Sequence, residues 1–115
     1  MAKLIIIGGA PATGKSTLAR FLKKNTRIKH ISMDDLKETL FDIGGYRDRE
    51  WSKRIGALAW PMFKELIDMN LERGEDVIAE ATFLWPDDSQ WVQNLCERHG
   101  AELVQIWMTS DPRVV

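Results

Sequence analysis

Two hydrophobic rhythms alternate along this chain, one of short apolar runs and one of apolar residues three or four apart. The runs are Lys3-Leu4-Ile5-Ile6-Ile7, Ile28-Lys29-His30-Ile31-Ser32-Met33, Val77-Ile78-Ala79-Glu80-Ala81-Thr82 and Glu102 to Met108. Their length and β-branched content predict four strands. Between them the pattern predicts helices over Thr17 to Lys24, Asp34 to Phe41 and Arg49 to Arg73. A further helix opens at Pro86-Asp87-Asp88, with proline in the first turn and two acids facing the dipole, and closes at Gly100. In the long helix Trp51, Ile55, Leu58, Met62, Leu66 and Met69 recur along one face, which is expected to be buried. Pro61 predicts a kink or a break there, and Gly74 a C-cap. Gly44-Gly45 breaks the second helix and opens a polar connection to Arg49.

The order β-α-β-α-α-β-α-β, with every crossover longer than about ten residues, calls for a parallel sheet of about four strands with helices on both faces. The expected fold class is therefore α/β in three layers. Ligands of such sheets bind beyond the carboxyl ends of the strands. The residues falling there are the turn after the first strand, Ser32 to Asp35, Glu80 to Trp85 and Thr109 to Asp111.

The turn after the first strand carries the most specific chemistry. Gly9-Ala10-Pro11-Ala12-Thr13-Gly14-Lys15-Ser16, followed by Thr17, matches the phosphate-binding pattern G-x-x-x-x-G-K-[ST] in full. A strand, a glycine-rich turn and a helix together aim backbone N–H groups and the positive end of a helix dipole at one point. Gly9 and Gly14 permit a curl that a Cβ would hinder. Lys15 can reach the β- and γ-phosphates, and Ser16 can ligate the Mg²⁺ that bridges them. The alternative, a glycine-rich turn with an incidental Lys-Ser, does not account for the setting. A nucleoside triphosphate, ATP with Mg²⁺, is the expected ligand.

Composition narrows the partners. The chain has 115 residues, expected to form one domain over 1–115, and a formal net charge of −1, so no global field recruits nucleic acid or an anionic membrane. The single cysteine, Cys96, excludes an intrachain disulfide and fits a reducing compartment. With His99 it lies on an apolar helical face, which reads as core and edge rather than as a metal pair. No stretch approaches a membrane span in length, and the N-terminal run is too short for a signal peptide, so a cytoplasmic location is expected.

Two acids follow the second strand. Ser32-x-x-Asp35 is a capping box, which accounts for Asp35 without chemistry. Asp34 is left free to orient and deprotonate a hydroxyl attacking the γ-phosphate. Glu80 ends an apolar strand and could hold Mg²⁺ through water or bind the acceptor, the alternative being an acid at a solvent-exposed strand end. Thr82 is a second acceptor-side candidate.

With these motifs in place, the chain resembles small P-loop kinases of the group that includes zeta toxins, chloramphenicol phosphotransferase and the kinase domain of phage polynucleotide kinase. The resemblance covers nearly the whole chain in order and spacing. It implies the three-layer P-loop NTPase fold, Lys15 and Ser16 on the phosphates and Mg²⁺, and Asp34 as the base. Lys37 falls where polynucleotide kinases have an arginine near the acceptor, and Glu80 where the group usually has an aspartate. The group continues past the equivalent of Thr109-Ser110-Asp111-Pro112 into an arginine-bearing lid and a further strand, whereas this sequence stops at Val115.

The expected function is transfer of the γ-phosphate of ATP to a hydroxyl of a small molecule, a nucleotide sugar or a nucleic-acid end. The alternatives are a lid-less, catalytically weak nucleotide-binding module, which would bind ATP better than turn it over, and an NTP-hydrolysing ATPase. No Asp-x-x-Gly follows the third strand and no Asn-Lys-x-Asp occurs, which argues against a switch protein. Arg47, Arg49 and Arg54 are expected on an exposed helix face, and the open fourth-strand edge of the sheet is expected to favour self-association.

Overall fold

A computed structural model of the chain describes residues 2–9, 15–26, 28–82 and 90–108. Within them the element order is β1 (Lys3–Gly9), α1 (Lys15–Thr26), β2 (Lys29–Ser32), α2 (Met33–Gly44), α3 (Arg49–Glu72), β3 (Val77–Thr82), α4 (Gln90–His99) and β4 (Glu102–Met108). The four strands form one parallel sheet in the order β2-β3-β1-β4. Order and type of the elements agree with the sequence pattern. The expected helix opening at Pro86-Asp87-Asp88 lies outside the described residues.

Strand alternation divides the core between the two faces of the sheet. Leu4, Ile6, Val77 and Ala79 face one side, where Phe63 and Ile67 of α3 and Val92, Leu95 and Cys96 of α4 complete a large buried cluster. Ile7 and Ile78 face the other side and meet Ala19 of α1, with Leu18 and Leu22 beside it. Helices thus cover both faces. Cys96 is buried, and burial raises its thiol pKa, as befits a core residue.

The sequence misplaces the buried stripe of α3 by one position. Ile55, Ala59, Phe63, Ile67 and Leu71 are buried, whereas Leu58, Met62 and Met69 are exposed. The chain has adjacent apolar pairs here, Leu58-Ala59, Met62-Phe63 and Leu66-Ile67, so two stripes about 100° apart fit the same spacing. Packing chooses the second. Phe63 makes edge-on contacts with Trp60 and Trp91, with ring centroids 5.6 and 6.3 Å apart.

Pro61 does not break α3, which runs through it from Arg49 to Glu72. Both Pro61 and Ala57, whose carbonyl loses its usual i+4 donor, lie on the exposed side, where water can replace the missing bond. Asp48 caps the helix by accepting from Trp51 N–H at 2.8 Å. The Trp51 indole N–H in turn reaches the carbonyls of Gly44 and Gly45 and ties the α2–α3 turn to α3. Gly45, at φ 76°, supplies the left-handed residue that ends α2.

Truncation should distinguish the two stripes. Phe63→Ala is expected to lower unfolding free energy by about 3–5 kcal/mol, and Met62→Ala by under about 1 kcal/mol. Urea denaturation of the two variants measures this, and similar losses in both would contradict the assigned core.

Candidate functional site

The parallel register brings the strand ends level. Gly9 lies opposite both Thr82 of β3 and Met108 of β4, and Ser32 lies opposite Glu80. Gly9 has φ 122°, and a Cβ on it would stand 2.0 Å from the Met108 carbonyl oxygen, so the end of β1 requires glycine. The phosphate-loop positions Ala10, Pro11, Ala12, Thr13 and Gly14 lie outside the described residues, as do 83–89 and 109–115. Lys15 and Ser16 open α1, and Thr17 follows on an exposed position. No acid stands in the first turn of α1, so the positive end of its dipole is not offset by the helix's own side chains.

The second cluster is built on β2 and β3. Ser32 is the N-cap of α2; its Oγ accepts from Asp35 N–H at 3.4 Å and donates to Glu80 Oε1 at 3.3 Å. Half of the expected capping box is therefore present. The return bond from the Asp35 carboxylate to the Ser32 N–H is absent among the described residues, and Ser32 is still in register with Glu80 in the β2–β3 ladder. Asp34 and Asp35 are both exposed in the first turn of α2, and Lys37 is half-buried one turn on. Successive helical residues differ by about 100° in direction, so the two aspartates face different ways.

Glu80 is 4% exposed, which overturns the reading of an acid at a solvent-exposed strand end. It shares the α1 side of the sheet with Ile78, by strand alternation. Its Oε2 lies 3.9 Å from His30 Nε2, a residue to which the sequence pattern assigns no role. A signal is nevertheless present: His30 and Ser32, two apart in β2, put two polar groups on one face. Burial, the dominant influence, holds the His30 pKa below its ordinary value. Glu80 and Asp35 pull it upward, while Lys23 and Arg20 on α1 add to the depression. The ring is therefore neutral at neutral pH, and its approach to Glu80 is that of an imidazole to a carboxylate rather than an ion pair.

Other residues singled out from the sequence have structural partners. His99 bonds Asp68 and ties α4 to α3. Arg54 pairs with Glu50 at 3.2 Å on the exposed helix face expected for it, whereas Arg47, exposed over the Trp51 ring at 5.0 Å, precedes α3 and is not on that face. Arg49 is exposed as well.

The β1–turn–α1 arrangement and the 2-3-1-4 sheet meet a matching family profile. The sequence profile of the AAA domain family fits residues 4–115. The chain belongs to the AAA domain family.

Solved structures place this AAA domain among P-loop kinase folds. A provisionally named kinase from Chloroflexus aurantiacus J-10-fl is 37% identical with a TM-score of 0.83, covering 98% of this chain and 62% of its own. The Pnkp1/Rnl/Hen1 complex matches at 22% identity and TM-score 0.70 over 96% of this chain and 36% of that one. The PezAT toxin–antitoxin system of Streptococcus pneumoniae matches at 19% identity and TM-score 0.65 over 99% and 49%. The last two likenesses show the fold alone. The chain spans less than two-thirds of the length of each of these structures. No curated protein matches it.

The depressed His30 pKa makes the stability of this AAA domain pH-dependent. Below the unfolded pKa the unfolded chain binds more protons than the folded one, so this contribution is complete above about pH 6.5 and is lost as the pH falls toward the folded value. Between pH 7.5 and 5.5 the melting temperature should fall more steeply in the native protein than in His30→Gln, which cannot charge. Parallel curves would show that His30 does not carry the effect.

Proposed function

We propose that this AAA domain is an ATP-dependent phosphotransferase that moves the γ-phosphate to a hydroxyl. The observation that carries the reading is the meeting of three features at the carboxyl edge of the sheet. They are the obligatory glycine ending β1, the acid-free N-terminus of α1 opening at Lys15-Ser16, and the buried carboxylate of Glu80 on the α1 side. This donor set fits Mg·ATP. Among the described residues no cluster of three or more His, Cys, Asp or Glu makes a closed metal site. Mg²⁺ characteristically needs only one or two protein oxygens beside phosphates and water. Lys15 and Ser16, with the backbone from Gly9 to Thr17, would hold the phosphates and the ion, with Glu80 in reach through water. Mg·ATP supplies, when bound, the phosphoryl group and the neutralising charge.

The remaining roles belong to the chain. Asp34, exposed at the start of α2 immediately beyond the end of β2, receives the acceptor's proton. Lys37 and Thr82 stand on the acceptor side, and the Ser32 bond fixes the Glu80 carboxylate. The acceptor is a small molecule, a nucleotide sugar or a nucleic-acid end. The outer side of β4, which forms one edge of the sheet, offers a route to self-association. A cytoplasmic location completes the proposal; no described helix is long and apolar enough to cross a membrane.

Two substitutions test it. Lys15→Ala removes a charge-assisted contact and should weaken ATP binding by roughly 1.5–3 kcal/mol in titration calorimetry. Asp34→Asn should keep the ATP affinity and slow transfer from labelled ATP to a 5′-hydroxyl oligonucleotide or a UDP-sugar by about 10²- to 10⁴-fold. Unchanged affinity in the first variant refutes the phosphate site, and unchanged transfer in the second refutes the base.

A further inference from the structure

The net charge of −1 conceals an uneven distribution along the chain. Residues 1–33 carry seven lysines and arginines and no acid, whereas all seventeen acids lie from Asp34 onward, beside nine basic residues. A sign asymmetry of this kind marks a chain with an oppositely charged partner. In the fold the excess gathers on α1. This helix contains no acid, and its Arg20, Lys23 and Lys24 are all exposed. None of the three forms an ion pair among the described residues, whereas Lys3 and Lys29 are matched by Glu102 and Glu75.

Helical geometry joins these residues into one face. Ala19, with Leu18 and Leu22 beside it, packs onto the sheet. At about 100° per residue Lys24 falls opposite that buried stripe, with Arg20 one turn before it and Phe21 at its side. Phe21 is 63% exposed. Arg20 and Lys23 carry the face toward β2, where both act on His30. The dipole at the end of α1 accounts for Lys23 and Lys24 in the last turn. It does not account for Arg20, which precedes that turn, and like charges three and four residues apart repel. Nor does it account for an aromatic ring left uncovered among them. Cations without counter-acids surround that ring, and an external anion with a flat apolar surface answers both needs.

Cations that follow a phosphate backbone and an aromatic ring that stacks on a base are the two elements of a single-strand binding surface. A bilayer fits less well, since it requires a continuous apolar helix face and α1 gives its leucines to the sheet. We propose that the outer face of α1, built from Arg20, Phe21, Lys23 and Lys24, binds single-stranded nucleic acid, with the cations on phosphates and Phe21 against a base. The face stands independently of the phosphotransferase reading, since it carries none of the residues assigned to ATP or to proton transfer.

The probe is an oligothymidylate of about fifteen nucleotides with an internal fluorescein and a phosphate at each end. It has no terminal hydroxyl, so it cannot act as a phosphate acceptor. In fluorescence anisotropy without ATP it should bind the whole chain with a Kd below about 10⁻⁴ M at 50 mM salt. Three neutralised phosphates give a slope of about −2 in log K against log salt. Arg20→Glu combined with Lys24→Glu should weaken binding at least about tenfold and flatten the slope to about −0.7. Phe21→Ser, at an exposed side chain, should weaken it about fivefold or more and leave the slope in place. Arg49→Glu combined with Lys53→Glu makes the same change in net charge on exposed positions of α3, and should alter binding by less than about threefold. No binding of the oligonucleotide, equal losses in the two double variants, or full binding in Phe21→Ser would each overturn the proposal. So would tighter binding of polyglutamate or of phosphatidylserine vesicles than of the oligonucleotide. ATP affinity is measured alongside: its retention in the α1 variants reports an intact fold, and its absence in the native protein bears on the phosphate site alone.

Discussion

The end of β1 is the constraint on which the rest of the architecture depends. This strand is paired on both sides along its length, with β3 through Leu4↔Val77 to Gly9↔Thr82 and with β4 through Lys3↔Glu102 to Gly9↔Met108. Two full ladders leave it no freedom to slide, since a one-residue slip would turn Leu4 and Ile6 out of one core layer and Ile5 and Ile7 out of the other. The chain must therefore leave the sheet at a fixed height. It does so through a residue whose missing Cβ makes room for the Met108 carbonyl. The starting point of the turn and the far anchor of α1, where Ala19 and Leu22 pack on Ile7 and Ile78, are set by the same two ladders.

Against this apolar frame the Ser32–Glu80–His30 group is an exception to the rule that strand interiors exclude polar side chains. Of its members only Ser32 ends a strand, His30 being the second residue of β2 and Glu80 lying two residues before the end of β3; Ser32 and Glu80 face each other across the two strands. Burial of a carboxylate is tolerated only where hydrogen bonds or charges compensate. The Ser32 hydroxyl provides one such bond at a residue already committed as a helix cap, so a single side chain couples the end of β2, the start of α2 and the carboxylate on β3. His30 gives up its charge instead, because desolvation outweighs the attraction of Glu80 and Asp35.

Much of this architecture is legible in the amino-acid sequence. Element type and order follow from run length and spacing, whereas the eight-letter phosphate-loop pattern falls mostly on positions outside the described residues. What the sequence hides, it hides for identifiable reasons. In α3 the pairs Leu58-Ala59, Met62-Phe63 and Leu66-Ile67 give two equally good stripes, and only contact with Trp91 and the sheet decides between them. Pro61 reads as a breaker in one dimension, but breaks nothing when its lost partner faces water. The burial of Glu80 depends on β3 lying between β2 and β1, which spacing along the chain does not encode. His30 stays hidden because its only signal, the polar pair His30 and Ser32 on one face of a four-residue strand, is too short an alternation to mark a site.

Among the described helices, α2 and α3 carry acids at their starts, whereas α1 and α4 have none in the first turn. Asp34 and Asp35 occupy the first turn of α2, and Asp48 and Glu50 the cap and first turn of α3, so each of those helices offsets its own positive end. Helix α1 carries none in its first turn and instead opens with Lys15, a residue that adds positive charge where the dipole already disfavours it. In isolation that choice destabilises the helix by a few tenths of a kcal/mol or more. An arrangement that gives up local stability at one helix start, just after a strand end that requires glycine, is the pattern expected where an external anion completes the electrostatics. The fold can bear it because α1 is held by Ala19, Leu18 and Leu22 against β1 and β3 rather than by its own termini.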